Sequence, residues 1–247
     1  MTSKDAPAQP IPTAGRSIRF GIREGFGVPG IVLGASFVGF GSLVRESGMS
    51  LPFGLVSTAT GWALPGQLAM IELYGAGASL LAIALAVALT NARLLPMTIT
   101  AMSLLRHPRH APALYWLAAH LIAATGWAQL FRRAPILLPE NRLAYYFGLT
   151  GTLWVITLIA TAIGWELAGR VPHPVTLGLV FLNPIYFLLL FAADLASRPR
   201  LMALVFGAAL GPVLHLITPD WGLLLCGLIA GSLAFALDRA RARRRNA

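Results

Sequence analysis

The chain of 247 residues is 57% hydrophobic and only 11% charged, with a mean hydropathy of +0.72, far from the roughly half-apolar, quarter-charged make-up of soluble domains. This is a membrane protein by composition, and its formal charge of +10 points to topology and to no nucleic-acid partner, because the basic residues sit between apolar runs and at the two ends. One cysteine, Cys226, excludes a disulfide framework or a cysteine metal cluster within a single chain.

Residues 1–15 are polar and proline-rich without an apolar core, and are expected to form a disordered N-terminal leader instead of a cleaved signal peptide. From Arg16 to Phe26, Arg16, Arg19 and Arg23 recur at helical spacing while Ile18, Ile22 and Phe26 take another face, the pattern of a short interfacial helix on an anionic leaflet or of stop-transfer charges. Eight apolar segments follow, at about Phe26–Val44, Phe53–Tyr74, Leu80–Leu104, Ala113–Phe131, Leu143–Leu167, Val175–Leu195, Leu201–Ile217 and Trp221–Leu237, most of them reaching the ~17–25 residues that cross a bilayer. The expected fold is therefore all-α: a polytopic membrane helical bundle of about eight spans, about seven if the Pro/Gly-broken second one is re-entrant. Residues 16–238 make one membrane domain and residues 239–247 a basic cytoplasmic tail. Eight crossings with both ends inside place fourteen basic residues inside and four outside, with Arg93 in the membrane, which favours cytoplasmic termini. Arg106 and Arg109, on a basic loop, fall on the outer side in that arrangement.

The stretch Gly61–Met97 holds two anomalies for a membrane segment. Pro65 and Gly66 interrupt a helical ladder, which is tolerated only where protein or a watery cavity satisfies the freed backbone. Arg93 lies well inside the next segment, where a guanidinium costs about 2.5–3.5 kcal/mol on insertion scales and so faces a partner or a polar cavity. Arg93 is either a carboxylate-binding or charge-relay group or half of a structural ion pair; Gln67 either helps bind an anion at a half-helix N-terminus or makes an interhelical hydrogen bond. A zwitterionic amino acid needs a partner for each charge in such a place. Arg93 and amides near Pro65 and Gly66 suit the carboxylate, Gln67 and Asn91 suit the ammonium, and Trp62 with Phe37 suits an apolar side chain. Asn183-Pro184 in the sixth segment sits at the position corresponding to the second-segment break in a four-plus-four division, so Asn183 joins the candidate substrate-binding residues. Gly30, Gly34 and Gly41, and the Gly207/Gly211 and Gly227/Gly231 pairs, offer close-approach faces to other helices or a partner subunit. His120 and His215 are either proton relays or carbonyl-bonded core histidines. His107 and His110 lack a third ligand, so no metal or other cofactor is expected. No nucleophile turn, phosphate loop or paired acids appear, so the chain is not expected to be an enzyme.

Val28-Pro29-Gly30 through Arg45-Glu46-Ser47-Gly48-Met49-Ser50, the break ending Gly66-Gln67, Asn91-Ala92-Arg93-Leu94-Leu95-Pro96, Tyr146-Phe147-Gly148 with Trp154, and Leu177-Gly178-Leu179 with Phe181 together resemble the AzlC family over roughly residues 20–235. The resemblance implies a permease of the bacterial inner membrane that exports branched-chain or related small hydrophobic amino acids beside a small AzlD-type membrane subunit. Where the family often carries acidic residues, this chain has Thr125-Gly126-Trp127 and Val180. The rival reading is a structural or channel-like subunit of a membrane complex without substrate chemistry of its own.

Overall fold

The computed structural model describes residues 13–170, 172–192, 198–217 and 222–245. Among the described residues the chain is helical without a strand: α1 (Ala14–Gly25), α2 (Val28–Glu46), α3 (Leu51–Gly61), α4 (Leu64–Gly75), α5 (Leu80–Asn91), α6 (Leu94–Leu105), α7 (Pro112–His120), α8 (Ala124–Arg133), α9 (Arg142–Leu167), α10 (His173–Ala192), α11 (Arg198–Ile217) and α12 (Gly222–Arg245). Residues 1–12 of the expected leader lie outside this description, and its last positions belong to α1, which Thr13 caps by accepting the Arg16 N–H at 3.4 Å. At the other end α12 continues through the expected tail as far as Arg245.

Two long elements make the frame. Helices α1 and α2 run parallel to α9, their numbers rising together: Gly21 lies against Tyr145, Gly25 against Thr152, Gly34 against Ile156 and Gly41 against Thr161. The glycines permit backbone-on-backbone packing, since a Cβ at Gly41 would lie 2.1 Å from the Thr161 carbonyl oxygen and one at Gly164 1.9 Å from that of Val38. So the expected stripe on α2 is used within the chain. At Gly207, Gly227 and Gly231 a Cβ would meet nothing within 4 Å; those glycines make no close approach here. Phe37, Phe40 and Val44 of α2 and Leu149 and Leu153 of α9 are fully buried between the two helices and their neighbours.

The frame has two ends. At one, Arg45 donates to the Trp165 carbonyl (3.0 Å), Trp165 Nε1 to the Met49 carbonyl (3.0 Å), and His173 meets Glu46 (2.8 Å), gathering the end of α2, the approach to α3 and the start of α10. At the other, Glu24 is held by Arg133 Nε (2.7 Å) and Tyr145 OH (2.5 Å), and Arg109 pairs with Glu140 at 2.6 Å. The Glu24 hydrogen bond raises the Arg133 guanidinium above its ordinary value.

Between α2 and α9 the sequence suggested three spans, and all three are interrupted midway. Helix α3 descends from the Trp165 end along α9, with Thr58 beside Thr161 (3.2 Å) and Trp62 Nε1 on Thr157 (2.9 Å). The break comes at Trp62-Ala63, earlier than Pro65-Gly66, because Pro65 occupies the first turn of α4, where the N–H it lacks has no intrahelical partner anyway. Helix α4 then returns: Gln67 bonds back to Ser57 and Thr58, and Gly66 abuts Asn91, antiparallel to α5, with the Gly75–Leu80 turn closing the pair. The α5–α6 pair bends by 43° and carries the chain through. It delivers Arg109 to Glu140, so α3 and α4 both open at the Trp165 end. Its bend falls at Ala92-Arg93, with Pro96 again in a first turn.

Helix α7 climbs from the Glu140 end and α8 returns to it. The break between them, Leu121–Ala123, contains neither proline nor glycine. Instead, Tyr146 OH donates to the Ala118 and Leu121 carbonyls at 3.2 and 2.9 Å, satisfying the groups a broken helix frees. At 11 and 9 residues, α3 and α7 are each about 14–17 Å long, roughly half a hydrocarbon core.

Among the described residues, α2 and the Pro139–Leu167 stretch are long and apolar enough to cross a membrane, and the bent α5–α6 pair makes a third candidate. Helix α10 passes through positions 183 and 184 as one helix, which does not support the expected Asn183-Pro184 interruption, and the Asn183 side chain lies outside the described residues.

Candidate functional site

The two half-depth hairpins, α3–α4 from one end and α7–α8 from the other, meet beside the middle of α9. Their tips are joined by His120, whose Nε2 lies 3.0 Å from the Ala59 carbonyl; that acceptor fixes the ring hydrogen on Nε2. Trp154 Nε1 reaches the same carbonyl at 3.3 Å. His120 thus takes the carbonyl-bonded role rather than a chain of relays, while the His215 side chain lies outside the described residues.

Helix α9 supports this meeting point with a stripe that sequence reading passed over: Tyr146, Thr150, Trp154, Thr157 and Thr161, spaced four, four, three and four along one face. Tyr146 holds α7, Trp154 and Thr157 hold the end of α3, and Thr161 holds Thr58. The signal was present as polar side chains at helical spacing within an apolar segment. Trp62 and Trp154 both hydrogen-bond inside the fold.

Gln67 is at the centre. It is 4% exposed, and its Nε2 donates to Ser57 Oγ and Thr58 Oγ1, each at 3.1 Å. Its Oε1 is buried without a partner among the described residues, and so is Oδ1 of Asn91. Asn91 abuts Gly66, the residue before Gln67, where a Cβ would lie 2.6 Å from either terminal atom of the Asn91 amide, so only glycine admits Asn91 at this spot. A buried acceptor without a donor costs about 1–3 kcal/mol, which makes these two amides candidates for meeting a ligand's donors. The first turn of α4 adds donors of its own, since the N–H groups of Leu64 and Gly66 have no intrahelical acceptor.

The structure brings Trp62, Pro65, Gly66, Gln67 and Asn91 together and leaves Arg93 at the edge. Arg93 is exposed, stands at the N-cap of α6, and has no acidic partner among the described residues. Phe37 and Trp62, expected to line an apolar pocket, are 1% and 4% exposed and fill the core. Thr125 is buried at the start of α8, Gly126 packs on Thr150, and Val180 packs on Gly39, so the positions that depart from the resembled pattern are tightly occupied. Among the described residues no group of three histidine, cysteine or acidic side chains is placed to hold a metal.

A family model described as AzlC protein matches residues 30–171, more than half of the chain. The chain belongs to the AzlC family. The match runs from α2 to just beyond α9, and so contains both hairpins and the α9 stripe, a shorter extent than the residues that carried the resemblance. No curated protein and no solved structure matches the chain. AzlC is a membrane-transport family.

Proposed function

We propose that this AzlC chain is a secondary transporter that exports branched-chain or related small hydrophobic amino acids across the bacterial inner membrane, with a small AzlD-type partner. The observation that carries this reading is the pair of buried acceptors without a partner among the described residues, Gln67 Oε1 in the α3–α4 hairpin and Asn91 Oδ1 of the α5 residue that abuts Gly66. An ammonium has three donors and no acceptor, and these neutral oxygens meet it without a fixed negative charge that would hold cationic substrates more tightly. The carboxylate goes to the Leu64 and Gly66 amides at the positive end of α4, the arrangement seen where broken helices bind anionic groups of substrates. Arg93, halfway along the bent α5–α6 pair, supplies a second anionic contact from the edge.

The same helix directions support a membrane arrangement other than eight crossings. With α3–α4 and α7–α8 as re-entrant hairpins and α2, α5–α6, α9, α10, α11 and α12 crossing, sixteen of the nineteen basic residues fall on the side of the N-terminus. Only Arg45 and Arg170 fall opposite, and Arg93 lies between. That bias is steeper than in the eight-span reading and returns the Arg106–Arg109 loop to the basic side, with both termini cytoplasmic. A cysteine placed at Pro108 is expected to react with an impermeant maleimide only in inside-out vesicles, and one at Ala76 only in right-side-out vesicles. Labelling of Pro108→Cys from outside would restore the eight-span arrangement.

Transport itself is tested in proteoliposomes loaded with radiolabelled leucine, valine, lysine or aspartate and carrying the chain with its small partner. Leucine and valine are expected to leave several-fold faster than from empty liposomes, and lysine and aspartate no faster. Equal release of all four would favour a channel-like subunit, and release from none with a monodisperse complex would favour a structural one.

A further inference from the structure

Helix α1 presents three stripes in succession around its axis, because successive residues turn by about 100°. Ser17, Gly21 and Gly25 are buried against α9. Next come Ile18, Ile22 and Phe26, exposed by 39%, 38% and 65% although apolar. Beyond them stand Arg16, Arg19 and Arg23, all exposed and without an ion-pair partner among the described residues. The middle stripe and α9 enclose an open groove of about 440 Å³, lined with Phe147, Gly151, Val155 and Ile159 on the α9 side and almost without polar surface. From Phe147 to Ile159 it runs about 18 Å along the helix, against about 15 Å for half of a 30 Å hydrocarbon core.

We propose that this groove is a binding site for an anionic phospholipid, with one acyl chain lying along α9 between Ile22 and Val155 and the phosphate on Arg16, Arg19 and Arg23. The dimensions are those of one leaflet, the lining excludes water-soluble ligands, and the unpaired guanidiniums border the apolar stripe at the level where a headgroup would sit. A polypeptide helix would not need the adjoining cations. The opposite flank of α1 is already satisfied, since Glu24 is occupied by Arg133 and Tyr145. That leaves the basic stripe as the free polar edge of the groove.

The test is native mass spectrometry of the intact protein released from nanodiscs of mixed phosphatidylglycerol and phosphatidylcholine. Wild type is expected to retain phosphatidylglycerol in preference to phosphatidylcholine, each arginine contributing about fivefold, or about 1 kcal/mol. Arg19→Gln with Arg23→Gln should cut the preference by about twenty-five-fold on the same basis. Gly151→Leu fills the groove from its floor, where a Cβ meets nothing within 4 Å, and should lose the bound lipid while the protein stays folded and monodisperse. Equal retention of the two lipids by wild type, or full retention of phosphatidylglycerol by Gly151→Leu, would overturn the proposal. So would a dimer in wild type that Gly151→Leu dissolves, which would make the groove a seat for a second copy.

Discussion

Gly164→Ala is expected to abolish most of the folded protein, although it adds one methyl group. At that position a Cβ would lie 1.9 Å from the Val38 carbonyl oxygen, 2.7 Å from its carbon and 2.9 Å from its Cα. These are backbone atoms of a helix interior, so no rotamer change relieves the clash; α2 and α9 must separate along their whole seam. Overpacking of flexible cores typically costs about 1–3 kcal/mol, and a collision between two helix backbones exceeds that because nothing in it is soft. Gly151→Ala is the matched control on the same helix. Its Cβ meets nothing within 4 Å, and alanine is the better helix former by about 1 kcal/mol. Fluorescence-detected size exclusion of the two variants, expressed alike, reads the difference: near loss of the monodisperse peak for Gly164→Ala and wild-type yield for Gly151→Ala. Equal yields would mean that the α2–α9 seam is not held as closely as its glycines imply. The seam matters to function because α9 also carries the side chains that hold both hairpin tips.

The class of fold was legible, and the residues of the candidate site stood out, because both depend on local composition. Apolar length marks membrane helices, and Pro65, Gly66, Gln67, Asn91 and Arg93 are costly enough in such segments to stand out singly. The direction of the chain through the interrupted segments was not legible, because it is set by partners distant in sequence. Nothing in Leu121-Ile122-Ala123 breaks a helix; the break persists because Tyr146, twenty-five positions beyond Leu121, takes the freed carbonyl. The α3–α4 return depends likewise on Gln67 finding Ser57 and Thr58. Counting hydrophobic segments treats each as one crossing, so two re-entrant hairpins of the kind proposed above are counted as two further spans. In the arrangement proposed above, the Arg106–Arg109 loop that the eight-span reading puts on the outer side is the trace they leave in the charge pattern. The threonine stripe of α9 was hidden for another reason: Thr157 and Thr161 can each bond a carbonyl of their own helix, as they do here at 2.8 Å, so threonines in apolar helices carry little information by themselves.

Gln67→Leu is expected to lower efflux per folded molecule by about 10–100-fold, which is the loss of one hydrogen bond to a charged group, about 1.5–3 kcal/mol. Leucine keeps most of the volume, and its effect on folding should be small. Ser57 still bonds the Gly54 carbonyl at 2.9 Å and Thr58 still meets Thr161, so neither hydroxyl is stranded by losing the amide. Removing the orphaned Oε1 even relieves a buried unsatisfied acceptor, and the variant should therefore unfold no earlier than wild type. That opposition between stability and transport is the signature of an acceptor kept for a ligand. Arg93 makes a different prediction because it is exposed and has no ion-pair partner among the described residues. Arg93→Ala should leave folding intact and weaken transport, and Arg93→Lys should recover it only in part, since a point charge does not replace a planar fork on a carboxylate. The measurements are leucine efflux normalised to folded protein and unfolding midpoints in the same detergent. A Gln67→Leu protein that transports normally would assign the amide to packing between α3 and α4. An Arg93→Ala protein that transports normally but no longer retains its small partner would move Arg93 from the substrate to the interface, leaving the amides of α4 alone to meet the carboxylate.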